Sequence, residues 1–177
     1  MEALLQQGHA VVGIDNFDAF YPRATKERNL SHFIDHPDFR MVEGDICDRG
    51  TFLKIGNAPD LVIHLAAKAG VRPSIDDPQA YVQTNIQGTQ NILEWMRVQG
   101  MRKMLFASSS SVYGNHAEIP FREDDGIDLP ISPYAFTKKA CELQNHVYHH
   151  LYGMDIINLR FFTVYGERQR PDLAIHK

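Results

Sequence analysis

Apolar and polar residues alternate along the chain in blocks that fit strands and helices in turn. Short β-branched and apolar runs, typical of buried parallel strands, occupy His9–Asp15, Phe39–Glu43 and Lys103–Ala107. Further runs of this kind begin at Leu61 and extend over Asp155–Phe162. Parallel strands need crossover connections, usually helices. The pattern therefore predicts an α/β fold with a doubly wound parallel sheet.

Two long segments between these runs have helical periodicity. The first follows Pro78 and ends at Gly100, and its apolar face contains Val82, Ile86, Thr89, Leu93 and Met96. The second begins near Tyr134 and ends at Gly153, and its apolar face contains Ala140, Leu143, Val147 and Leu151. Shorter helical segments are expected at the beginning of the chain and over about residues 25–35. The last 15 residues are predicted to be loop.

Composition excludes several classes of protein. The chain has 177 residues, of which 44% are apolar and 23% charged, as in an ordinary globular domain. A net charge of -4 without a basic stripe argues against a nucleic-acid partner. No apolar run approaches the roughly 20 residues that span a bilayer, so no membrane association is expected. The first residues do not resemble a secretory signal, and Cys47 and Cys141 suit free thiols in a reducing compartment. We therefore expect a cytoplasmic protein.

The segment Tyr134–Lys138 is the sharpest chemical feature of the sequence. Its tyrosine and lysine are four residues apart, so on a helix they share one face. A free tyrosine titrates near pKa ~10, and a neighbouring cation lowers that pKa by stabilising the phenolate. The pair is therefore a candidate general base. Taken alone, the same spacing also fits a packed aromatic ring beside a solvated lysine.

Polar residues follow two of the predicted strands. Ser108–Ser111 directly follow the strand Lys103–Ala107, at the edge where parallel sheets bind ligands. A serine there can hydrogen-bond a substrate hydroxyl, although Ser108 or Ser111 also fits ordinary turn hydrogen bonding. Asp15 ends the first strand, where an acid can bind the hydroxyls of an adenosine ribose or cap a turn.

Together these motifs carry a family resemblance. The strings VVGIDNF, EGDI, VIHLAA, TNIQGT, SSSSVYG, YAFTK and LRFFTVYG occur in this order from about residue 10 to residue 166. The combination resembles the extended short-chain dehydrogenase/reductase superfamily, and within it the NAD-dependent nucleotide-sugar epimerases. AKAGVRPSIDDP and FFTVYGERQRPDLAIHK are most similar to UDP-glucuronate 4-epimerases.

The resemblance implies a Rossmann-type fold, NAD as cofactor, a UDP-sugar substrate and a homodimer in the full-length enzyme. The implied catalytic residues are Tyr134, Lys138 and Ser109. The implied cofactor-binding residues are Asp15, Asn16, Asp45, Ile46, Leu65, Ala66, Ala67, Lys68, Asn85, Lys138 and Phe162. The implied substrate-binding residues are Arg72, Ser109, Ser110, Tyr134, Thr163 and Arg170.

Arg72 bears on the choice of substrate. An arginine binds a carboxylate through two parallel hydrogen bonds, which suits a uronic acid better than a neutral hexose. A solvated loop arginine is the alternative, and Arg170 is a second candidate for the carboxylate or a phosphate. His146, His149 and His150 lie on one predicted helix without a metal-binding pattern, so no metal is expected.

The family's glycine-rich turn has no counterpart, because no two glycines are closer than five positions. The resemblance thus implies that residues 1–177 are a Rossmann-like NAD-binding domain truncated at both ends. It would lack the first strand, the glycine-rich turn and the C-terminal substrate domain, so we expect the chain alone to bind NAD weakly.

The expected activity is epimerisation of UDP-glucuronate to UDP-galacturonate. A 4,6-dehydratase and a UDP-glucuronate decarboxylase are alternatives within the superfamily. Both have a glutamate just before VYG, where this sequence has Ser111. An inactive fragment or a non-enzymatic binding module is the alternative from another class.

Overall fold

The structure, a computed structural model, describes residues 1–116 and 118–170. It divides into two compact units. The first contains Met1–Gly56 and the described residues from Thr163 onward, and the second contains Asn57–Phe162. Every strand pairing in the described residues is parallel. The predicted parallel α/β architecture is therefore confirmed.

The first unit is built on two parallel strands. Strand β1, Val11–Asp15, lies beside β2, Phe39–Glu43, with the two strands in register along their full length. Its helices are α1 (Glu2–Gln6), α2 (Arg23–Leu30) and α3 (Gly50–Leu53). The buried apolar side chains are Leu5, Phe39, Val42, Ile46, Phe52 and Ile55.

Gly44 connects β2 to the segment that leads into α3. A Cβ atom at Gly44 would lie 2.5 Å from Cγ2 of Thr51. Thr51 is buried, so it has little room to move away. Glycine is therefore required here because the helix packs directly against the end of the strand.

The second unit contains three parallel strands in the order β3-β4-β5. These are β3 (Val62–His64), β4 (Lys103–Ala107) and β5 (Asp155–Leu159). Between β3 and β4 lie α4 (Val71–Asp76), α5 (Pro78–Tyr81), a π-helical turn (Val82–Gln87) and α6 (Gly88–Val98). A 3₁₀ turn (Ser110–Tyr113) and α7 (Pro133–Tyr152) connect β4 to β5.

Helix α7 has the ends that the sequence predicts. The Ser132 hydroxyl oxygen accepts a hydrogen bond from the Ala135 N–H at 3.1 Å, and Pro133 occupies the first turn. Gly153 ends the helix in the left-handed conformation, with φ of 63°.

The apolar face of α7 does not point into the unit. Leu143, Val147 and Leu151 are exposed, at 57%, 48% and 60% of their surface. The buried side of the helix instead contains Thr137, Lys138, Cys141, Glu142 and Asn145. The amphipathic pattern therefore identifies an outward-facing stripe. In α6, by contrast, Thr89, Leu93 and Met96 are buried as the pattern indicates, whereas Val82 of the same predicted face, in the π-helical turn, is exposed.

Several strands are shorter than predicted. Strand β3 ends at His64, and β5 ends at Leu159 instead of Phe162. Phe161 leaves the ladder, because its N–H donates back to the Leu159 carbonyl and its carbonyl accepts from Ser110 N–H at 2.9 Å. Strand β1 begins at Val11 instead of His9. Among the described residues, no helix is both long and apolar enough to cross a bilayer.

Candidate functional site

The serines after β4 have different hydrogen-bonding roles. Ser108 is buried, and its hydroxyl donates to Oε1 of Glu142 at 2.6 Å. The Ser109 hydroxyl oxygen accepts the Ser111 N–H at 3.1 Å and so caps the 3₁₀ turn. This cap uses a lone pair of the oxygen and leaves the hydroxyl hydrogen of Ser109 as a donor. Ser110 is held through its N–H, which donates to the Phe161 carbonyl.

Tyr134 lies in the first turn of α7 and is held from a second element. Its N–H donates to the Ser74 hydroxyl at 3.1 Å, and that hydroxyl donates to the Val71 carbonyl at 2.6 Å. Its ring packs edge-on against Tyr81, with centroids 6.2 Å apart. Helix α4, which carries Arg72, is thereby attached to the beginning of α7.

Lys138 follows Tyr134 by one helical turn and is buried. Its Nζ donates to the Ala107 carbonyl at 2.8 Å and lies 5.0 Å from the centre of the Phe106 ring. Burial disfavours the charged ammonium and lowers the pKa of Lys138 to about 8. The lysine is thus mostly protonated at neutral pH but close to its titration.

Asn85 organises the segment after β3. It is buried in the π-helical turn, and its side-chain amide bonds the Lys68 N–H at 2.8 Å and the Lys68 carbonyl at 3.0 Å. Its Nδ2 also donates to the Thr137 hydroxyl on α7 at 3.0 Å. Asn85 therefore holds the backbone of Lys68 in place, within the segment predicted to line the cofactor. π-helical turns of this kind are frequent at functional sites.

The other predicted residues of the second unit are accessible to a ligand. Leu65, Ala66, Arg72 and Phe162 are exposed, whereas Ala67 and Lys68 are partly buried. The Phe162 ring lies 6.2 Å from Phe121, with the two rings nearly parallel.

In the first unit, the structure brings Asp15, Asn16 and Asp45 together at the strand ends. Asn16 Nδ2 donates to Oδ2 of Asp45 at 2.9 Å, while Oδ1 of Asp15 accepts the Phe17 N–H at 2.6 Å. Ile46, in contrast, is buried in the core. Thr163 is exposed, and the Arg170 guanidinium lies 5.3 Å from the centre of the Phe20 ring.

Sequence reasoning missed Lys26, which lies beside Asp15. Its Nζ is 3.3 Å from Oδ1 of Asp15, and its side chain is only 10% exposed. Both residues line a cleft of about 150 Å³ in the first unit, together with Tyr21. A lysine 11 positions after the strand end has no local signal in a single sequence.

We predict that burial of Lys138 gives the protein a measurable pH dependence of stability. The unfolded lysine titrates near ~10.4, so between pH 8 and that value the unfolded state binds more protons than the folded state. Relative to Lys138→Met, the wild-type chain should therefore gain stability as the pH rises through this window. Urea unfolding of both chains at pH 7, 8, 9 and 10 measures the difference, and a constant difference would contradict the shifted pKa.

Comparison with known proteins relates this geometry to a family. UDP-glucuronate 4-epimerase from Thermodesulfobacterium geofontis is 44% identical over 178 residues, which cover 99% of this chain and 55% of that protein. The uncharacterized protein MJ1055 from Methanocaldococcus jannaschii is 46% identical over 169 residues, 94% of this chain and 52% of that protein. The chain thus spans about half the length of the curated relatives it matches.

Solved structures give the same result. UDP-glucuronic acid 4-epimerase from Bacillus cereus, with UDP-glucuronic acid and NAD, matches with a TM-score of 0.88 at 40% identity, over 99% of this chain and 55% of that chain. A dTDP-glucose 4,6-dehydratase from Streptomyces venezuelae matches with the same TM-score at 30% identity and with the same coverage. The family profile described as NAD dependent epimerase/dehydratase matches residues 1–177. The chain therefore belongs to the NAD dependent epimerase/dehydratase family.

Proposed function

We propose that this chain carries the catalytic residues of a UDP-glucuronate 4-epimerase that uses NAD. The observation that carries the proposal is the arrangement at the end of β4. There Ser109 is the second residue after the strand, and Lys138, one helical turn from Tyr134, is hydrogen-bonded to the last strand residue, Ala107. The resemblance to UDP-glucuronate 4-epimerases over nearly the whole chain supports this choice of reaction.

In this proposal, Tyr134 accepts the proton of the sugar 4-hydroxyl, and Ser109 donates a hydrogen bond to the same oxygen. The buried Lys138 ammonium places a positive charge one helical turn from Tyr134, at the end of β4. NAD, when bound, would supply reversible hydride transfer at carbon 4, with the hydride returned to the opposite face of the sugar. Tyr134 then returns the proton, so the product differs from the substrate only in configuration.

The ends of β1 and β2 fit the adenosine ribose of NAD. Asp15 presents a half-exposed carboxylate beside the cleft, and the Asn16–Asp45 hydrogen bond holds the two strand ends together. Carboxylates at this position of a parallel sheet accept hydrogen bonds from ribose hydroxyls. Because its side chain is buried, Ile46 contributes to this site through the packing beneath it.

Ser111 favours epimerisation over elimination or decarboxylation. In the alternative enzymes, a glutamate at this position supplies the acid or base for a further step. Here the residue is a serine whose N–H is bonded to Ser109 Oγ at 3.1 Å. No carboxyl group is therefore available at this position to remove a proton from the oxidised sugar.

We expect Tyr134→Phe to abolish turnover while leaving NAD binding within about twofold, because only the proton acceptor is removed. The test uses a completed enzyme, in which this chain is joined to the segments of the Thermodesulfobacterium geofontis relative that it does not cover. General base catalysis contributes about 10²- to 10⁴-fold, so the loss should reach at least a hundredfold. Interconversion of UDP-glucuronate and UDP-galacturonate is followed by chromatography.

Tyr152→Phe is the matched control, because it removes the same hydroxyl group from the other end of α7. It should leave turnover unchanged. Near-normal turnover by Tyr134→Phe would show that the base lies elsewhere. Formation of a 4-keto-6-deoxy or pentose product by the wild-type enzyme would instead favour the dehydratase or decarboxylase.

Arg72→Ala should change substrate choice. Arg72 is exposed on α4, the helix that Ser74 attaches to the beginning of α7. A hydrogen bond to a charged group is worth roughly 1.5–3 kcal/mol, so loss of a carboxylate contact should lower kcat/KM for UDP-glucuronate about ten- to a hundredfold. The effect on UDP-glucose should be much smaller. Both specificity constants are measured in the completed enzyme.

Arg102→Ala serves as the control for loss of an exposed arginine, because Arg102 precedes β4 at the opposite end of the strand. An equal loss on both sugars for Arg72→Ala would indicate a structural role or a contact with the shared diphosphate. An unchanged preference would move the carboxylate contact to Arg170 or to segments that this chain does not contain.

A homodimer is also part of the proposal, and the outward stripe of α7 supports it. Leu143, Val147 and Leu151 form one exposed apolar row on a 20-residue helix. A second copy of the same helix would remove this row from water. We expect Val147→Glu to convert the completed enzyme from dimer to monomer in sedimentation velocity. Leu129→Glu, at an 84% exposed position off the helix, should leave the dimer intact.

A further inference from the structure

Glu142 and Arg160 form a buried ion pair behind residues 108–114, the serine segment. Glu142 lies on the inner side of α7 with 7% of its side chain exposed, and Arg160 follows β5 directly with 17% exposed. Nε and Nη2 of Arg160 donate to the two carboxylate oxygens of Glu142 at 3.0 Å each. This is the bidentate geometry that lysine cannot reproduce.

The carboxylate of Glu142 has a third partner, Ser108, which is the first residue after β4. It accepts the Ser108 hydroxyl at 2.6 Å. One helical turn earlier, Lys138 donates to the carbonyl of Ala107. Two successive turns of α7 therefore bond two successive residues, Ala107 and Ser108, which directly precede Ser109. These two bonds fix the direction of the chain at Ser109.

Arg160 extends the same network toward the aromatic side chains. Its Nη1 donates to the Tyr113 hydroxyl oxygen at 3.2 Å and to the Glu123 carbonyl at 3.1 Å. The Tyr113 ring stacks on Phe121 with centroids 4.6 Å apart, and lies 6.5 Å from Phe162. One guanidinium group thus bonds both α7 and the 3₁₀ turn after Ser109, and Tyr113 in that turn pairs with the ring of Phe162.

Stability alone is a poor explanation for such a pair. Removing two charges from water costs several kcal/mol for each ion, and well-packed apolar replacements of a buried pair are often equally stable. Apolar replacements do not reproduce the directional hydrogen bonds of the pair. The five N–H groups of a guanidinium specify the positions of several acceptors at once. Here those acceptors are Glu142 on α7, Tyr113 in the 3₁₀ turn after Ser109, and the Glu123 carbonyl.

We propose that Glu142 and Arg160 are positioning residues, which set Ser109 and Phe162 relative to Tyr134 on the same helix as Glu142. The inference rests on the proposed function, because it assigns the pair to the chemical step of that reaction. Neither residue contacts the sugar in this proposal. Weakening the pair should therefore lower kcat and leave KM and NAD affinity nearly unchanged.

The activity test compares three variants of the completed enzyme. Glu142→Gln and Arg160→Lys keep size or charge but lose the bidentate pair, and we expect kcat to fall about ten- to a hundredfold with KM changed less than about threefold. The double variant Glu142→Met/Arg160→Met should unfold close to the wild-type urea midpoint and yet show the same low kcat. Arg97→Lys, which weakens the exposed pair with Glu94, is the matched control and should keep wild-type kcat.

A second measurement, hydrogen exchange, does not depend on enzymatic turnover. Hydrogen exchange of the 177-residue chain reports on the N–H groups of Ser110, Val112 and Gly114, which are all hydrogen-bonded in the serine segment. In Glu142→Gln these amides should exchange about tenfold faster, whereas amides within α6 should be unaffected. If the wild-type completed enzyme has no turnover, the proposed function is refuted. Faster exchange of the serine-segment amides in Glu142→Gln would in that case still show that the pair positions this segment.

Three results would overturn the inference. Unchanged exchange of the serine-segment amides in Glu142→Gln would show that the pair does not hold this segment. Faster exchange together with a wild-type kcat would show that the segment is held for stability only. A uniform loss of kcat and stability in Arg160→Lys, restored together in the double methionine variant, would likewise assign the pair to stability.

Discussion

The hydrogen bond from the Lys138 ammonium to the Ala107 carbonyl, 2.8 Å long, fixes helix α7 against the end of strand β4. The donor is buried, so water cannot replace its partner without a large cost. The acceptor is the carbonyl of Ala107, the last residue of β4, and the serine segment begins at the next residue. The site of the second unit thus depends on one contact between a helix and a strand end.

This contact explains why the inner side of α7 is polar. Thr137, Cys141 and Asn145 are buried on the same side of α7 as Lys138, and each donates a hydrogen bond: to the Tyr134 carbonyl, to the Asn85 carbonyl and to the Asn158 side chain. Buried polar groups are tolerated where they are hydrogen-bonded, and in this row only Oδ1 of Asn145 has no partner among the described residues. The helix therefore packs through hydrogen bonds on its inner side and leaves its apolar row outside.

The sequence predicted the elements better than their contacts. Strands β2 and β4 have the predicted bounds, and α7 begins near Tyr134 and ends at Gly153 as predicted, because helix ends and β-branched runs are local signals. The apolar periodicity of α7 could not show which side is buried, since that depends on partners far away in the chain. The motif residues Ser109 and Tyr134 were found from spacing and resemblance. Lys26, Glu142 and Arg160 were missed because their importance arises only from contacts over 11 to 34 residues.

Two buried bases, His64 and Lys138, lie at this edge of the second unit, and at neutral pH only the lysine is charged. His64 ends β3 with one ring nitrogen 2.9 Å from the Thr89 hydroxyl, and burial, assisted by the positive charge of Lys138, lowers its pKa to about 3. Its imidazole is therefore neutral over the whole physiological range. Lys138, whose pKa is lowered only to about 8, keeps its proton at neutral pH. The positive charge of Lys138 thus adds to burial in keeping His64 neutral, and the lysine that follows Tyr134 by one turn is the charged member of the two.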